Sequence, residues 1–193
     1  GRLSGVTDPT GRDYGFTYNL DGRLASVVDP GGRDVTYTYT AEGRLASVTD
    51  PRDKVTQFGY DPSGRLNARI DANNNTQVAL TYDVQGRVIE SSDAEEYATT
   101  YAYDFDHGRT TVTDPRGNPT IFSFDAAYRF MGEQDSLGNY TLTTYDNDNN
   151  PVAARDKLGN TMQYTHDERG NVLQVTDALN GMIRATYNAT NDP

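Results

Sequence analysis

The chain has 193 residues, a net charge of −11 and no cysteine. That length suits one sizeable domain. The acidic balance excludes nucleic-acid binding through bulk charge, because phosphates are repelled, and the missing thiols exclude a disulfide framework and a thiolate metal site.

Hydrophobic residues make up 35% of the chain, below the roughly 45–50% of ordinary domains. Yet 14 Tyr and 6 Phe, with many Thr and Val, are too much aromatic and β-branched content for a disordered chain. This composition fits a thin or open sheet with little deep core. No apolar run approaches the roughly 18 residues that a membrane-spanning helix requires. The chain opens at Gly1, in phase with the repeat described next, and is expected to be a piece of a longer protein.

From the first residues onward one unit recurs. Gly22-Arg23-Leu24-Ala25-Ser26-Val27 returns as Gly43-Arg44-Leu45-Ala46-Ser47-Val48, and Gly1-Arg2-Leu3 anticipates both. Related starts follow at Gly64, Gly86, Gly108, Tyr128, Asn149, Gly170 and Asn191, spaced 20 to 22 residues apart. The whole span 1–193 is therefore expected to be one array of about nine 21-residue units, with a tenth beginning at Asn191.

Each unit alternates strand and turn. In Asp8-Pro9-Thr10-Gly11, Pro9 presets φ for a type I turn, Asp8 caps it, and Gly11 accepts the positive φ that follows. Asp29-Pro30-Gly31-Gly32, Asp50-Pro51-Arg52-Asp53 and Asp114-Pro115-Arg116-Gly117 repeat this signal, and Asn74 and Asn180 replace Gly in two further turns. A second turn follows the same logic in Asp61-Pro62-Ser63-Gly64, Asp83-Val84-Gln85-Gly86 and Asp167-Glu168-Arg169-Gly170.

Between the turns, Val35, Tyr37 and Tyr39 share one face of a strand, and Thr36 and Thr38 share the other. Aromatic residues recur at the same places as Phe16 and Tyr18, Phe58 and Tyr60, Tyr101 and Tyr103. Successive hairpins are expected to stack these into aromatic ladders. The first strand of each unit is less regular. Leu45 and Val48 are three apart and would face opposite ways, which calls for a bulge or a twisted entry after Gly43. The fold class is all-β: tandem antiparallel hairpins, about 18 strands and roughly 85 Å of sheet width, curved or spiralling because sheets twist.

The recurring string, clearest over residues 22–61, combines Gly-Arg-Leu with Tyr60-Asp61…Gly64-Arg65, Tyr82-Asp83…Gly86-Arg87 and Tyr103-Asp104…Gly108-Arg109. It resembles the YD-repeat or Rhs-repeat family. The later units depart from the pattern: Asn150 and Asn171 replace the Arg, and His166 replaces the Tyr. The resemblance implies a sheet that spirals into a hollow shell, as in bacterial polymorphic toxins, toxin-complex subunits and teneurins. It implies a wall segment without protease, toxin or delivery module of its own. The residues that define the repeat are Gly22, Arg23, Asp29, Pro30, Tyr39, Gly43, Arg44, Asp50, Tyr60, Asp61, Gly64, Arg65, Tyr82, Asp83, Gly86 and Arg87.

No catalytic, cofactor or metal site is expected. Asp146-Asn147-Asp148-Asn149-Asn150 imitates the start of a calcium loop, but Pro151 stands where Gly is needed and Lys157 where Glu is needed. Asp71-Ala72-Asn73-Asn74-Asn75 fails similarly, so both are read as turns. His107 and His166 lack the convergent partners of a zinc site. The Arg column is expected to pair with turn Asp residues or to stack on Tyr rings.

Two functions follow. The first is a structural wall segment that, with the remaining repeats of a parent protein, encloses a C-terminal toxin. The alternative is a recognition surface, for carbohydrate or a cell surface. A stand-alone enzyme is a distant third. The expected partners are the other shell repeats, the toxin cargo and, through open sheet edges, further copies of the chain. Nucleic acid and a membrane span are not expected. An exported or cell-surface bacterial location fits this reading.

Overall fold

A computed structural model describes residues 1–188 and Thr190. The expected start of a tenth unit at Asn191 lies outside the described residues. Among them are eighteen strands and no helix. They are β1 (Gly5–Thr7), β2 (Asp13–Tyr18), β3 (Leu24–Val28), β4 (Asp34–Tyr39), β5 (Leu45–Thr49), β6 (Val55–Tyr60), β7 (Leu66–Ile70), β8 (Thr76–Tyr82) and β9 (Val88–Ser92). Then come β10 (Ala98–Asp104), β11 (Arg109–Thr113), β12 (Pro119–Phe124), β13 (Phe130–Gln134), β14 (Leu142–Tyr145), β15 (Pro151–Arg155), β16 (Thr161–His166), β17 (Val172–Thr176) and β18 (Met182–Arg184).

The chain divides into two units, Gly1–Ala98 and Thr99–Pro193. In the first, β1 to β9 pair in sequence order, each antiparallel to the next. In the second, β10 to β13 pair in the same way, and β14 to β18 form a five-stranded sheet. The ladder loosens between β13 and β14 to a single bridge, Gln134 to Tyr140. There Gly132 has φ 154 and packs so closely on the Thr141 carbonyl that a Cβ would overlap it. The tandem-hairpin reading is borne out.

One turn geometry generates this order. In the Asp8 turn, the Gly11 N–H donates to the Asp8 carbonyl at 2.9 Å, and the Asp8 N–H donates to the Arg12 carbonyl at 2.9 Å. The fourth residue of the turn, three beyond the Asp, has positive φ: 82 at Gly11, 75 at Gly32, 84 at Gly117. The same pair of bonds closes the Asp29, Asp50, Asp71, Asp114 and Asp156 turns. It also closes the second turns, at Asn19, Thr40, Asp61, Asp83, Asp125, Asp146 and Asp167. Where Gly is missing, Asp53 (φ 58), Asn74 (φ 65), Glu96 (φ 64), Tyr128 (φ 59), Asn149 (φ 69) and Asn180 (φ 63) occupy the left-handed region.

The irregular strand is explained by a bulge. Tyr37 faces Val48 and Thr38 faces Ser47, but Tyr39 faces Leu45, so Ala46 is an extra residue. That one insertion returns Leu45 and Val48 to one face, beneath Tyr39 and Tyr37. The same shift recurs at Ala25, Asn67, Ile89 and Met131, and in β15 and β17.

The strands contact their neighbours in sequence, so each unit is a single layer. Among the described residues no hydrophobic side chain is buried, and Ser26, 9% exposed, is the buried polar one. Between Tyr18 and Tyr39 the expected aromatic ladder does not form. Tyr18 and Tyr39 lie on β2 and β4 with β3 between them, about 9.6 Å apart at the usual strand spacing, beyond the 4.5–7 Å of ring contact. Arginine fills that gap, as described below.

The two kinds of turn glycine should respond differently to substitution. Gly32 has open space where a Cβ would stand, whereas a Cβ on Gly43 would run into the Arg23 guanidinium. Gly32→Ala is expected to cost about 1–2 kcal/mol from backbone strain alone, and Gly43→Ala measurably more. Urea unfolding of the two variants side by side checks this; equal midpoints would show that displacing Arg23 from Gly43 costs the chain nothing.

Candidate functional site

The tyrosine-aspartate motif forms a clamp between successive repeats. Asp61 accepts the Arg65 N–H on Oδ1 at 2.9 Å and the Arg65 Nε–H on Oδ2 at 2.7 Å. This fixes Arg65 at the exit of the turn. Its guanidinium then reaches the next repeat, 4.5 Å over the ring of Tyr82, where Nη1 donates to the Asp83 carbonyl at 3.0 Å. In return the Tyr82 hydroxyl donates back to the Leu66 carbonyl at 2.6 Å. Asp83 captures Arg87 by the same two bonds.

The clamp runs along the chain. Tyr39 and Tyr60 donate to the carbonyls of Leu24 and Leu45 at 2.7 and 2.8 Å. Arg23 and Arg44 lie 5.7 and 5.6 Å over the rings of Tyr39 and Tyr60. The same two side chains cover Gly43 and Gly64, as Arg2 covers Gly22. These glycines serve twice, through positive φ and through the room they leave for arginine. Arg23 and Arg44 meet no Asp at the head of their own turns, which begin on Asn19 and Thr40. They pair with Asp21 at 2.9 Å and Glu42 at 3.8 Å. Arg129 restores the full clamp, 4.8 Å over Tyr145 and donating to the Asp146 carbonyl at 2.7 Å.

The first turns hold their carboxylates locally. Asp29 accepts the N–H groups of Gly31 and Arg33 at 2.8 and 2.9 Å, and the Arg33 Nε–H at 2.6 Å, with Pro30 shaping the turn between them. Asp50 accepts from Arg52 and Lys54 at 2.7 and 2.9 Å. The ionised form gains from these bonds, so the acids shift down. Asp8 is lowered to about 2 by the Thr10 hydroxyl, then the Arg12 N–H and the Arg12 guanidinium. Asp29 is lowered first by the Arg33 side chain, and Asp114 by that of Asn118.

The calcium-loop imitations are turns. Asp146 accepts the N–H groups of Asp148 and Asn150 at 2.9 Å and the Asn150 side-chain amide at 3.1 Å. Asp71 accepts from Asn73 and Asn75. Among the described residues no group of three His, Cys, Asp or Glu is placed to hold a metal, and no helix is long and apolar enough to cross a membrane. His107 Nδ1 lies 2.8 Å from Asp104. His166 takes the place of the clamp tyrosine, and its Nδ1 is buried without a hydrogen-bond partner. Its counterpart is Asn150, too short to stack as arginine does. The left-handed Glu96 was not legible from turn composition, since Asp93-Ala94-Glu95-Glu96 lacks both Pro and Gly. Its spacing from Asn74 and Gly117, one repeat to either side, is the signal that marks it.

The RHS Repeat family matches residues 1–34, 18–55, 39–76 and 145–182, together more than half of the chain. The chain belongs to the RHS Repeat family. This Rhs-repeat array is similar in fold to a crystal structure of TcdB2-TccC3-Cdc42, at 14% identity and a TM-score of 0.68, over 92% of this chain. It is similar as well to a crystal structure of TcdB2-TccC3-TEV, at 15% identity and a TM-score of 0.67, over 92% of this chain. A structure of the Photorhabdus luminescens Tc holotoxin pore matches 90% of it, at 14% identity and a TM-score of 0.64. The array spans 12%, 12% and 11% of those three chains. No curated protein matches it in sequence.

The clamp and the acids each give a test. Tyr60→Phe removes the hydroxyl bond to Leu45 and keeps the ring under Arg44, so a loss of about 1 kcal/mol is expected in urea unfolding. Asp carboxyls lowered in the folded chain stabilise it fully above about 3.8, the unfolded value, and lose that contribution as pH falls through the folded value, about 2 for Asp8. The urea midpoint should hold from neutral pH to about 5 and decline between about 4 and 2. A flat profile across that window would remove the carboxylates from the stability of the turns.

Proposed function

We propose that this Rhs-repeat array is a wall segment of a larger shell that encloses and sequesters a C-terminal toxin domain of a longer parent protein. The observation that carries the reading is a sheet without a core. Each unit is one layer thick, and among the described residues no hydrophobic side chain is buried. A single sheet with both faces open is a surface or partition, not a self-contained globule. The family and the likeness to TcdB2-TccC3 structures support the same reading.

The ends of the array are consistent with continuation. Among the described residues β1 pairs with β2 alone and β18 with β17 alone, and both strands are exposed throughout. Such edges invite pairing with further strands, supplied in this reading by the remaining repeats of the parent. The wall is built of turn caps and clamps, so its role is mechanical and the chemistry belongs to the cargo. Export from a bacterial cell fits that role. The second reading, a recognition surface, is favoured by the exposed rings of Phe105 and Tyr128 on one rim.

The parent protein supplies the test. Polypeptide downstream of the array is expected to resist protease while the wall is folded, and to become cleavable under denaturant at the concentration where the strands unfold. A tail digested at the same rate before and after that transition would overturn enclosure. For the isolated array, light scattering at several concentrations is expected to show association through the open edges. A strict monomer throughout would argue that the edges are capped.

A further inference from the structure

One position of the repeat changes character along the chain. The third residue of the first turn is Thr10, Gly31, Arg52, Asn73, Glu95 and then Arg116. In the next three units it is Leu137, Leu158 and Leu179. These leucines all lie in the unit Thr99–Pro193 and stand 86%, 88% and 90% exposed. The turn itself does not ask for leucine, since polar residues are usual there. The Asp at its head accepts the N–H of Leu137, Leu158 and Leu179 at 3.1, 2.9 and 2.9 Å. Thr10, Asn73 and Arg116 make the same bond at 2.8 Å. Leu158 has a turn on either side, so neighbouring turns do not cover this position.

The three turns are held in a row. Lys157 Nζ lies 2.9 Å from Glu133 and 3.5 Å from Asp135, which ties the turn after β15 to the one after β13. Successive first turns are two strands apart, about 9.6 Å, so the leucines span about 19 Å of rim. Beside them, between the turns after β15 and β17, runs a groove of about 530 Å³ lined by Ala154, Met162, Ala178 and Leu179. Ala154 and Met162 are paired across β15 and β16 and so share a face. Single exposed leucines need no explanation, but a contiguous apolar patch marks a contact surface.

We propose that this rim and groove bind an amphipathic α-helix of a partner protein, with a large aliphatic residue at every seventh position and Lys or Arg on its flanks. The spacing selects the helix. Residues seven apart on a helix lie about 10.5 Å apart on one face, close to the interval between the leucines. Same-face residues of a strand are only about 6.6 Å apart. A polyproline helix repeats at about 9.3 Å, but it docks on aromatic-lined grooves, and this groove is aliphatic. Its Met can adapt to the helix that enters. Charge selects the flanks. Asp156 and Asp177 border the groove without an ion pair among the described residues. The Arg155 guanidinium is turned away to Tyr140, 3.9 Å over its ring and donating to its carbonyl at 3.1 Å. The rim therefore offers negative charge to cationic flanks. A second copy would bring the same acids and its own net charge of −11, and would be repelled. The site goes beyond the wall reading and does not depend on it.

The test uses the 193-residue chain itself. A helical peptide of about three heptads, with Leu in the heptad pattern and Lys on the flanks, is titrated with NMR detection. Its companions are a peptide of the same composition in scrambled order, a twin with Glu in place of Lys, and a proline-rich peptide. The Leu-Lys helix is expected to saturate, with shifts confined to the turns after β13, β15 and β17 and to Met162. The scrambled and proline-rich peptides should not saturate, and the Glu twin should bind about tenfold more weakly or worse. Leu158→Asn should weaken the Leu-Lys helix about tenfold or more, the scale of one buried leucine, and Leu137→Asn comparably. Neither should move the urea midpoint, because earlier turns hold Asn73 or Arg116 at that place. The proposal is overturned if the helix does not saturate at millimolar concentration, if a scrambled or proline-rich peptide binds as tightly, or if affinity survives both substitutions. It is overturned as well if light scattering shows self-association that Leu158→Asn abolishes, since a second copy would then cover the leucines. The chain carries no cargo in this experiment, so failure here leaves enclosure standing, and loss of tail protection in the parent leaves the helix site standing.

Discussion

A carboxylate oxygen that accepts two backbone N–H groups is the interaction on which the rest of this protein depends. Asp29 and its equivalents hold the second and fourth residues beyond them, and the chain must then turn through a left-handed residue before leaving antiparallel. Everything else inherits its position from that turn. Strand order is sequential because each turn joins nearest neighbours, and the bulge at Ala46 brings Leu45 and Val48 back to one face. The acids that carry the turns are ionised at neutral pH and lowered by the bonds they accept, so turn formation and net negative charge are two aspects of one design.

A structure held by its turns still needs cohesion between repeats, and no buried core provides it. The clamp of Arg65 over Tyr82, with the Tyr82 hydroxyl returned to Leu66, is a local substitute. It spans one repeat to the next and leaves both faces of the sheet open. That suits a wall, whose length can change by whole units without repacking an interior. It has a weak point in the second unit, where Asn150 and His166 replace the clamp pair and the imidazole is left with an unpartnered Nδ1.

Departures from the repeat are where an array of this kind acquires individuality. Glu96 and Asp53 fill left-handed positions with acidic side chains, whereas Tyr128 places an aromatic ring at the rim beside an enlarged loop. The two kinds of departure look alike in an alignment of the units with one another. They differ in what the side chain meets.

Much of the fold was legible from spacing alone. The 21-residue period, the Asp-Pro-x-Gly turns and the alternation of Val35, Tyr37 and Tyr39 specify antiparallel hairpins, because turn chemistry and strand period are local properties. The family was legible for the same reason, in Tyr60-Asp61 and Gly64-Arg65. Composition also foretold a sheet poor in core. The partner of each aromatic ring was not legible. A ladder of tyrosines is the natural reading of the period, but strand order puts another strand between them, and only the tertiary structure shows arginine filling that interval. The choice between a bulge and a twisted entry likewise waited for the register of β4 against β5. The groove lined by Phe105 and Tyr128 joins residues of the loop after β10 and the turn after β12. By itself, the sequence determined a tandem array of capped hairpins, since each cap is closed by residues within five positions of one another. The tertiary structure decided which side chains meet between repeats, because those contacts depend on register, on bulges and on the strand that separates one hairpin column from the next.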